Sequence, residues 1–82
     1  MPEFHAVVTV TLKTEILDPA GEAVQGVLQH MEFPVSDIRI GRHIQLTVDA
    51  PDAAEAARLV QQMADAVLAN PVMEQAQVRV EQ

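Results

Sequence analysis

Hydrophobic residues change their spacing several times along these 82 residues, and this pattern limits the folds that the chain can adopt. Over residues 4–13 they alternate with polar residues, which is typical of a half-buried β-strand. The same alternation returns over residues 35–40, 44–48 and 75–81. The sequence therefore predicts four strands, separated in two places by longer stretches with a different spacing.

Those two longer stretches have the hydrophobic spacing of amphipathic helices. The first begins at Asp18-Pro19, where the aspartate can cap a free N–H group and the proline suits the first helical position. The second begins at Asp52 and ends at Asn70-Pro71, where the asparagine tolerates a left-handed cap. Its predicted buried stripe consists of Ala56, Leu59, Val60, Met63 and Val67.

The predicted order of elements is β-α-β-β-α-β, in a single domain that covers residues 1–82. Two right-handed crossovers place both helices on one face of a four-stranded antiparallel sheet. The predicted fold is thus α+β, a ferredoxin-like plait or a close variant. Between the two middle strands, a three-residue or bulged loop at Gly41-Arg42-His43 is needed to place Ile40 opposite Ile44.

So short a chain builds a small core, although 49% of its residues are hydrophobic. It has no cysteine, so disulfides cannot reinforce that core. The second face of the predicted sheet is polar and rich in threonine, and is either solvated or paired with another subunit. We expect the chain to gain stability by dimerising.

The formal net charge is −7, and only five residues are Lys or Arg. Binding to nucleic acid or to an anionic membrane surface draws on clustered basic residues, so neither partner is expected. The first ten residues do not resemble a signal peptide, and no apolar run is long enough to span a membrane. We therefore expect a cytoplasmic protein.

No group of residues predicts catalysis, a metal site or a cofactor site. The three histidines lack the spacing of a ligand pair on one helix face, and the three glycines are too dispersed for a phosphate-binding loop. Two classes of function remain open. One is a structural subunit of a larger assembly; the other is a free-standing dimeric domain that binds a small regulatory molecule near the acidic loop at residues 14–19.

Three segments resemble the PurS family, the small subunit of phosphoribosylformylglycinamidine synthase. Residues 10–13 (VTLK), followed by Leu17-Asp18-Pro19, resemble the start of the family sequence. Residues 37–46 (DIRIGRHIQL) resemble its strand-turn-strand signature, and residues 68–72 (LANPV) resemble the end of its second helix. The resemblance covers nearly the whole chain in the right order, with Arg42 and Gln45 departing from the residues common at their positions.

The resemblance implies a subunit of a glutamine-dependent C–N ligase of de novo purine biosynthesis. That complex converts formylglycinamide ribonucleotide into formylglycinamidine ribonucleotide with ATP, magnesium and glutamine. The resemblance further implies that this chain holds no catalytic residue and no cofactor. As a homodimer or tetramer it would bridge a PurL-type synthetase subunit and a PurQ-type glutaminase subunit and support ammonia transfer.

Three surface segments are accordingly predicted to contact other subunits. They comprise Leu17, Asp18 and Pro19, then Arg39, Gly41, Arg42 and His43, and finally Asn70, Pro71 and Val72. Each segment also has a local explanation as a helix start, a tight turn or a helix end. That explanation accounts least well for Arg39 and Arg42, because two of only five basic residues lie beside one turn.

Overall fold

A single antiparallel sheet and two helices make up the part of the chain that the computed structural model describes, residues 1–81; Gln82, the last residue of the predicted domain, lies outside it. The strands are β1 (Glu3–Leu12), β2 (Arg42–Asp49) and β3 (Glu74–Glu81), and the helices are α1 (Pro19–His30) and α2 (Ala53–Met63). The strand order is β2-β1-β3. The predicted α+β class is confirmed.

The core lies between the sheet and α2. Ala6, Val8 and Val10 alternate along the central strand β1 and are almost completely buried. Small residues of α2, Ala56 among them, face these side chains and let the helix approach the sheet closely. Half-buried hydrophobic residues surround this centre: Phe4, Ile44, Leu46, Leu59, Leu68, Ala69, Ala76, Val78 and Val80.

The second helix continues into one π-helical turn, Ala64–Leu68, closed by a hydrogen bond of 2.9 Å from the Ala69 N–H to the Ala64 carbonyl. A π-turn holds more residues than an α-turn and so rotates the positions that follow it. Ala64, the first residue of this turn, continues the buried spacing of Ala56 and Val60, whereas Val67 within the turn is 81% exposed. The prediction that Val67 belongs to the buried stripe was therefore wrong.

The strand predicted at residues 35–40 does not form, and the middle hairpin that would pair Ile40 with Ile44 is absent from the described residues. Asp37 has a φ of 56°, which interrupts an extended backbone. The N–H groups of Ile38 and Ile40 are donated to side chains instead of to a neighbouring strand. Ile44 pairs with Val8 of β1 instead.

The first helix does not cover the sheet. No residue of α1 belongs to the hydrophobic core of the described chain, whereas α2 packs on all three strands. Residues 31–41 run back along α1, and we call α1 together with these residues the arm. The Cα atoms extend over 52 Å, more than the roughly 33 Å of the ten-residue strand β1, which fits an arm that projects beyond the sheet. Only α2 thus occupies the face predicted for two helices.

The first helix ends at His30, before the proline at position 34. The N–H of Glu32 donates to the Gln29 carbonyl at 2.9 Å, and the N–H of Phe33 donates to the Leu28 carbonyl at 3.0 Å. These two hydrogen bonds form a Schellman motif, in which the residue after the C-cap adopts the left-handed conformation. Glu32 occupies that position with a φ of 70°.

Candidate assembly site at one end of the sheet

The three predicted contact segments meet where β1 ends and where β2 and β3 begin. In the register of the sheet, Val10 pairs with Arg42 and Leu12 pairs with Glu74. Just beyond the strand, the Lys13 N–H donates to the Met73 carbonyl at 2.9 Å. We call residues 13–18, 39–42 and 70–74 the junction.

An ion pair crosses β1 within the junction. The Arg42 guanidinium lies 2.9 Å from the Glu74 carboxylate, and the Asn70 N–H donates to the same Glu74 oxygen at 2.7 Å. The Asn70 N–H, and secondarily Arg42, hold the pKa of Glu74 below its usual range. The ion pair is partly exposed, so it positions the segment more than it stabilises the fold.

The turn that follows α2 is built by Asn70. Its side-chain oxygen accepts a hydrogen bond of 3.0 Å from the Val72 N–H, and its carbonyl accepts one of 2.7 Å from the Glu74 N–H. Asn70 does not adopt the left-handed conformation that we predicted for it. This turn leaves the Val72 side chain projecting into solvent.

Asp18 joins the two ends of the arm. As predicted, it caps α1, accepting a hydrogen bond of 3.0 Å from the Gly21 N–H. Its second oxygen accepts one of 2.8 Å from the Ile40 N–H. The N–H groups of Ile40 and then Gly21, together with nearby Arg39, lower the pKa of this carboxyl group, although burial opposes that shift. Asp18 is 5% exposed and therefore points inward.

Arg39 is bonded within the chain. Its guanidinium donates to the carbonyl groups of Thr14 at 2.6 Å and Ile16 at 2.7 Å, and more weakly to that of Lys13 at 3.4 Å. These carbonyls belong to the loop between β1 and α1, so Arg39 holds that loop against the returning segment. Its donors are engaged, unlike those of a residue kept free for a partner.

Close backbone approaches occur within the arm at Gly21 and where the arm joins β2 at Gly41. A Cβ atom on Gly21 would lie 2.1 Å from the Ile38 carbonyl oxygen, and one on Gly41 would lie 2.2 Å from that of Val10. No larger residue fits either place without a backbone shift. Gly41 is thus explained by the close approach of the chain to the β1 backbone at Val10, just before β2 begins.

Eight of the ten predicted contact residues lie within the junction, and the other two, Pro19 and His43, adjoin it in the sequence. Arg39 bonds to the Ile16 carbonyl and the Ile40 N–H bonds to Asp18, while Arg42 reaches the turn at residues 70–72 through Glu74. His43 begins the other face of β2, where its ring contacts Gln45. Glu74 and Gln25 were not predicted from the sequence, because only the strand register and the arm geometry reveal their partners.

The described residues hold no group of three His, Cys, Asp or Glu side chains arranged for a metal ion. A shallow depression near the loop at residues 14–18 is acidic, but its Asp18 and Arg39 groups are already bonded to backbone. Within residues 1–81, no helix is long and apolar enough to cross a membrane.

A small α+β module with a projecting arm and a structured junction defines a class of assembly subunits. The sequence model of the PurS family, described as phosphoribosylformylglycinamidine (FGAM) synthase, matches residues 5–82. The PurS subunit of Synechocystis sp. is 47% identical over 72 residues, which are 87% of this chain and 72% of that subunit. The PurS subunit of Bacillus subtilis is 41% identical over 92% of this chain and 89% of its own length.

Solved structures agree with these relatives. The structure of PurLQS from Thermotoga maritima contains a chain with a TM-score of 0.90 and 33% identity, covering 99% of this chain and 100% of that one. The purS subunit of Thermotoga maritima synthase, EC 6.3.5.3, has a TM-score of 0.89 and 32% identity, covering 98% of this chain and 93% of its own. The chain belongs to the PurS family and is a subunit of FGAM synthase in purine biosynthesis.

Proposed function

We propose that this chain is a non-catalytic structural subunit that joins a PurL-type synthetase to a PurQ-type glutaminase. The observation that carries the proposal is the junction, which gathers three separate segments at one end of the sheet. The likeness over 99% of the chain to a protomer of PurLQS supports it. ATP, magnesium and glutamine would be bound by the partner subunits, in the cytoplasm.

The junction combines apolar and charged groups, as protein interfaces do. Leu17, Val72 and Met73 are exposed hydrophobic side chains, and the Arg42–Glu74 ion pair lies close to the last two. Such side chains can fill pockets on a partner, while a rim charge fixes orientation and selects the partner. We assign direct contact to Leu17, Arg42 and Val72.

The remaining candidates have a supporting role in this proposal. Asp18 and Arg39 use their polar atoms to hold the arm and the loop at residues 13–16 in place. Gly41 permits the close approach of the chain to the β1 backbone at Val10. A surface that is fixed before binding loses less conformational entropy on association, so these residues act on affinity without touching the partner.

The chain would work as a homodimer, or as a dimer of dimers. Several hydrophobic side chains of the arm are exposed in the single chain, Val24, Val27, Met31 and Phe33 among them. An exposed apolar patch of this kind is typical of an interface. A dimer would also present two junctions to the larger subunits and so help to keep ammonia transfer within one assembly.

Co-purification tests the proposed function. The tagged chain is expressed with the synthetase and glutaminase subunits, and glutamine-dependent and ammonia-dependent activities of the recovered complex are compared. We expect both partners in the eluate and a specific loss of glutamine-dependent activity when the chain is left out. Recovery of the chain alone, together with thermal stabilisation by an amino acid or nucleotide, would instead support a regulatory ligand-binding domain.

A further inference from the structure

The turn that precedes β3 is held by a dense set of hydrogen bonds. The Asn70 side chain accepts the Val72 N–H at 3.0 Å. The Asn70 carbonyl accepts the N–H groups of Met73 at 3.2 Å and Glu74 at 2.7 Å. Pro71 has a fixed φ, which removes one of the two backbone rotations at its position. The shape of this turn is therefore determined within the chain.

The same turn presents hydrophobic side chains to solvent. Val72 is 77% exposed, and the neighbouring Met73 is exposed as well. Neither side chain belongs to the hydrophobic core of the described residues. The hydrogen bonds explain how the chain turns, but the fold gains nothing from holding an exposed valine in one orientation. A binding surface does gain, because a rigid side chain loses little conformational entropy on association.

A guanidinium lies beside this turn, and Glu74 connects the two. One Glu74 oxygen accepts both the Asn70 N–H at 2.7 Å and Nη2 of Arg42 at 2.9 Å. The Glu74 side chain is 21% exposed and that of Arg42 is 54% exposed, so the guanidinium is the more accessible partner of the pair. Within residues 1–81 its remaining N–H groups make no other hydrogen bond, and they can donate to a partner.

We infer that Val72 and Arg42 together bind an apolar pocket whose rim carries a carboxylate, on a partner subunit, and that Asn70 is their positioning residue. This inference rests on the proposed function and specifies the chemistry of the partner surface. The planar guanidinium suits bidentate donation to a carboxylate. Asn70 acts through the Val72 N–H and, by the shape of the turn, through Glu74.

The charge of the chain makes such a contact selective. With a net charge of −7, most of the surface repels an acidic surface on a partner. The guanidinium of Arg39 is already bonded to backbone carbonyls, so Arg42 is the arginine of the junction with open donors in the described chain. A carboxylate is therefore accepted beside Val72 and repelled elsewhere, which fixes the orientation of docking.

Titration of the chain into the synthetase and glutaminase tests the role of Asn70. Glutamine-dependent activity is recorded against the concentration of the chain, which separates the half-saturating concentration from the maximal rate. Asn70→Ala should raise the half-saturating concentration roughly five- to tenfold and leave the maximal rate unchanged, because the turn must then be ordered on binding. Asn70→Ser should lie between Asn70→Ala and the parent, since its hydroxyl accepts the same hydrogen bond more weakly.

A double-mutant cycle distinguishes positioning from a general effect on stability. In a Val72→Ala chain, Asn70→Ala should lose most of its effect on binding, because the side chain that it positions is gone. Circular dichroism confirms that each variant is folded at the assay temperature. A full effect in the Val72→Ala chain, or parent-like binding by Asn70→Ala, would overturn the role of Asn70. A parent chain without effect on glutamine-dependent activity would instead contradict the proposed function.

Ionic strength tests the carboxylate. The half-saturating concentration of the parent should rise more steeply with added salt than that of Arg42→Gln, because salt screens a charge contact that only the parent makes. Arg58→Gln is the matched control and should keep the parent dependence, since Arg58 is equally exposed and pairs with Glu55. Equal salt dependence of Arg42→Gln and the parent would exclude the carboxylate. A change in the KM for ATP or the ribonucleotide alone would assign Arg42 to a phosphate group and also overturn the inference.

Discussion

The Asp18 carboxylate lies 2.8 Å from the backbone nitrogen of Ile40, and this hydrogen bond closes the arm at its base. The same carboxylate caps α1 through the Gly21 N–H. One buried side chain thereby fixes both where the helix starts and where the chain returns to the sheet.

Asp18→Asn should lower stability near neutral pH and flatten its dependence on acidic pH. The amide has one acceptor oxygen, so one of the two N–H groups loses its partner. Because the folded-state pKa of Asp18 is lowered, the unfolded chain binds more protons in acid. In the parent chain, the stabilisation that ionised Asp18 contributes is fully present above the ordinary aspartate pKa of about 4. It is lost as the pH falls through the pKa of Asp18 in the folded chain.

Urea denaturation at several pH values and at one protein concentration measures this effect. The difference between parent and Asp18→Asn should be largest near neutral pH and should shrink as the solution becomes more acidic. Curves that stay parallel down to strongly acidic pH would show that the carboxylate charge is not responsible.

Two glycines of α1 should respond in opposite directions to the same substitution. A Cβ at Gly26 meets nothing within 4 Å, so Gly26→Ala should stabilise the helix by about 1 kcal/mol. A Cβ at Gly21 would collide with the Ile38 carbonyl, so Gly21→Ala should destabilise by about 1–3 kcal/mol. Thermal unfolding of both variants at equal concentration checks the pair, and a gain at both positions would contradict the close approach.

Glu32→Gly should stabilise the chain by about 1 kcal/mol, because a residue with a Cβ atom is strained in the left-handed region. Glu32→Ala is the matched control, since it removes the same carboxylate and keeps the Cβ atom. We expect a higher denaturation midpoint for the glycine variant alone. Equal midpoints for the two variants would assign the effect to the charge of Glu32.

Arg42→Glu should reduce the glutamine-dependent activity of the reconstituted complex while the isolated chain stays folded. Arg58→Glu is a close control, because Arg58 is also 54% exposed and also pairs with a glutamate, Glu55, far from the junction. Each exposed ion pair contributes little to stability, because solvent screens the two charges. Unchanged activity with Arg42→Glu, or an equal loss with Arg58→Glu, would remove Arg42 from the proposed contact surface.

Local signals in the sequence predicted most elements correctly. Alternation identified β1 and β3, because their side chains pack in the core on one face only. Asp18 and Asp52 were recognised as helix caps, and both accept the expected backbone hydrogen bonds. These features depend on residues a few positions apart, so a single sequence contains them.

The errors arose where distant residues compete with local preference. Residues 35–40 have the pattern of a strand, yet Gln25 and Asp18 take the N–H groups of Ile38 and Ile40. The π-turn moved Val67 outward, although its spacing matched the buried stripe. The proposed contact residues were selected from the sequence, whereas the link from Arg42 through Glu74 to Asn70 depends on a strand register that periodicity does not determine.

Because the arm is attached to the sheet through polar contacts, the arm of the free chain should open more easily than the sheet with α2. Opening α1 exposes little core surface, whereas opening β1 disrupts the packing of Ala6, Val8 and Val10. Amide hydrogens of α1 should therefore exchange with solvent through local opening while those of β1 exchange only on global unfolding. Association with another subunit can then slow amide exchange in α1 without changing exchange in the sheet. Slower exchange in this helix would therefore report assembly, independently of the folding of the sheet.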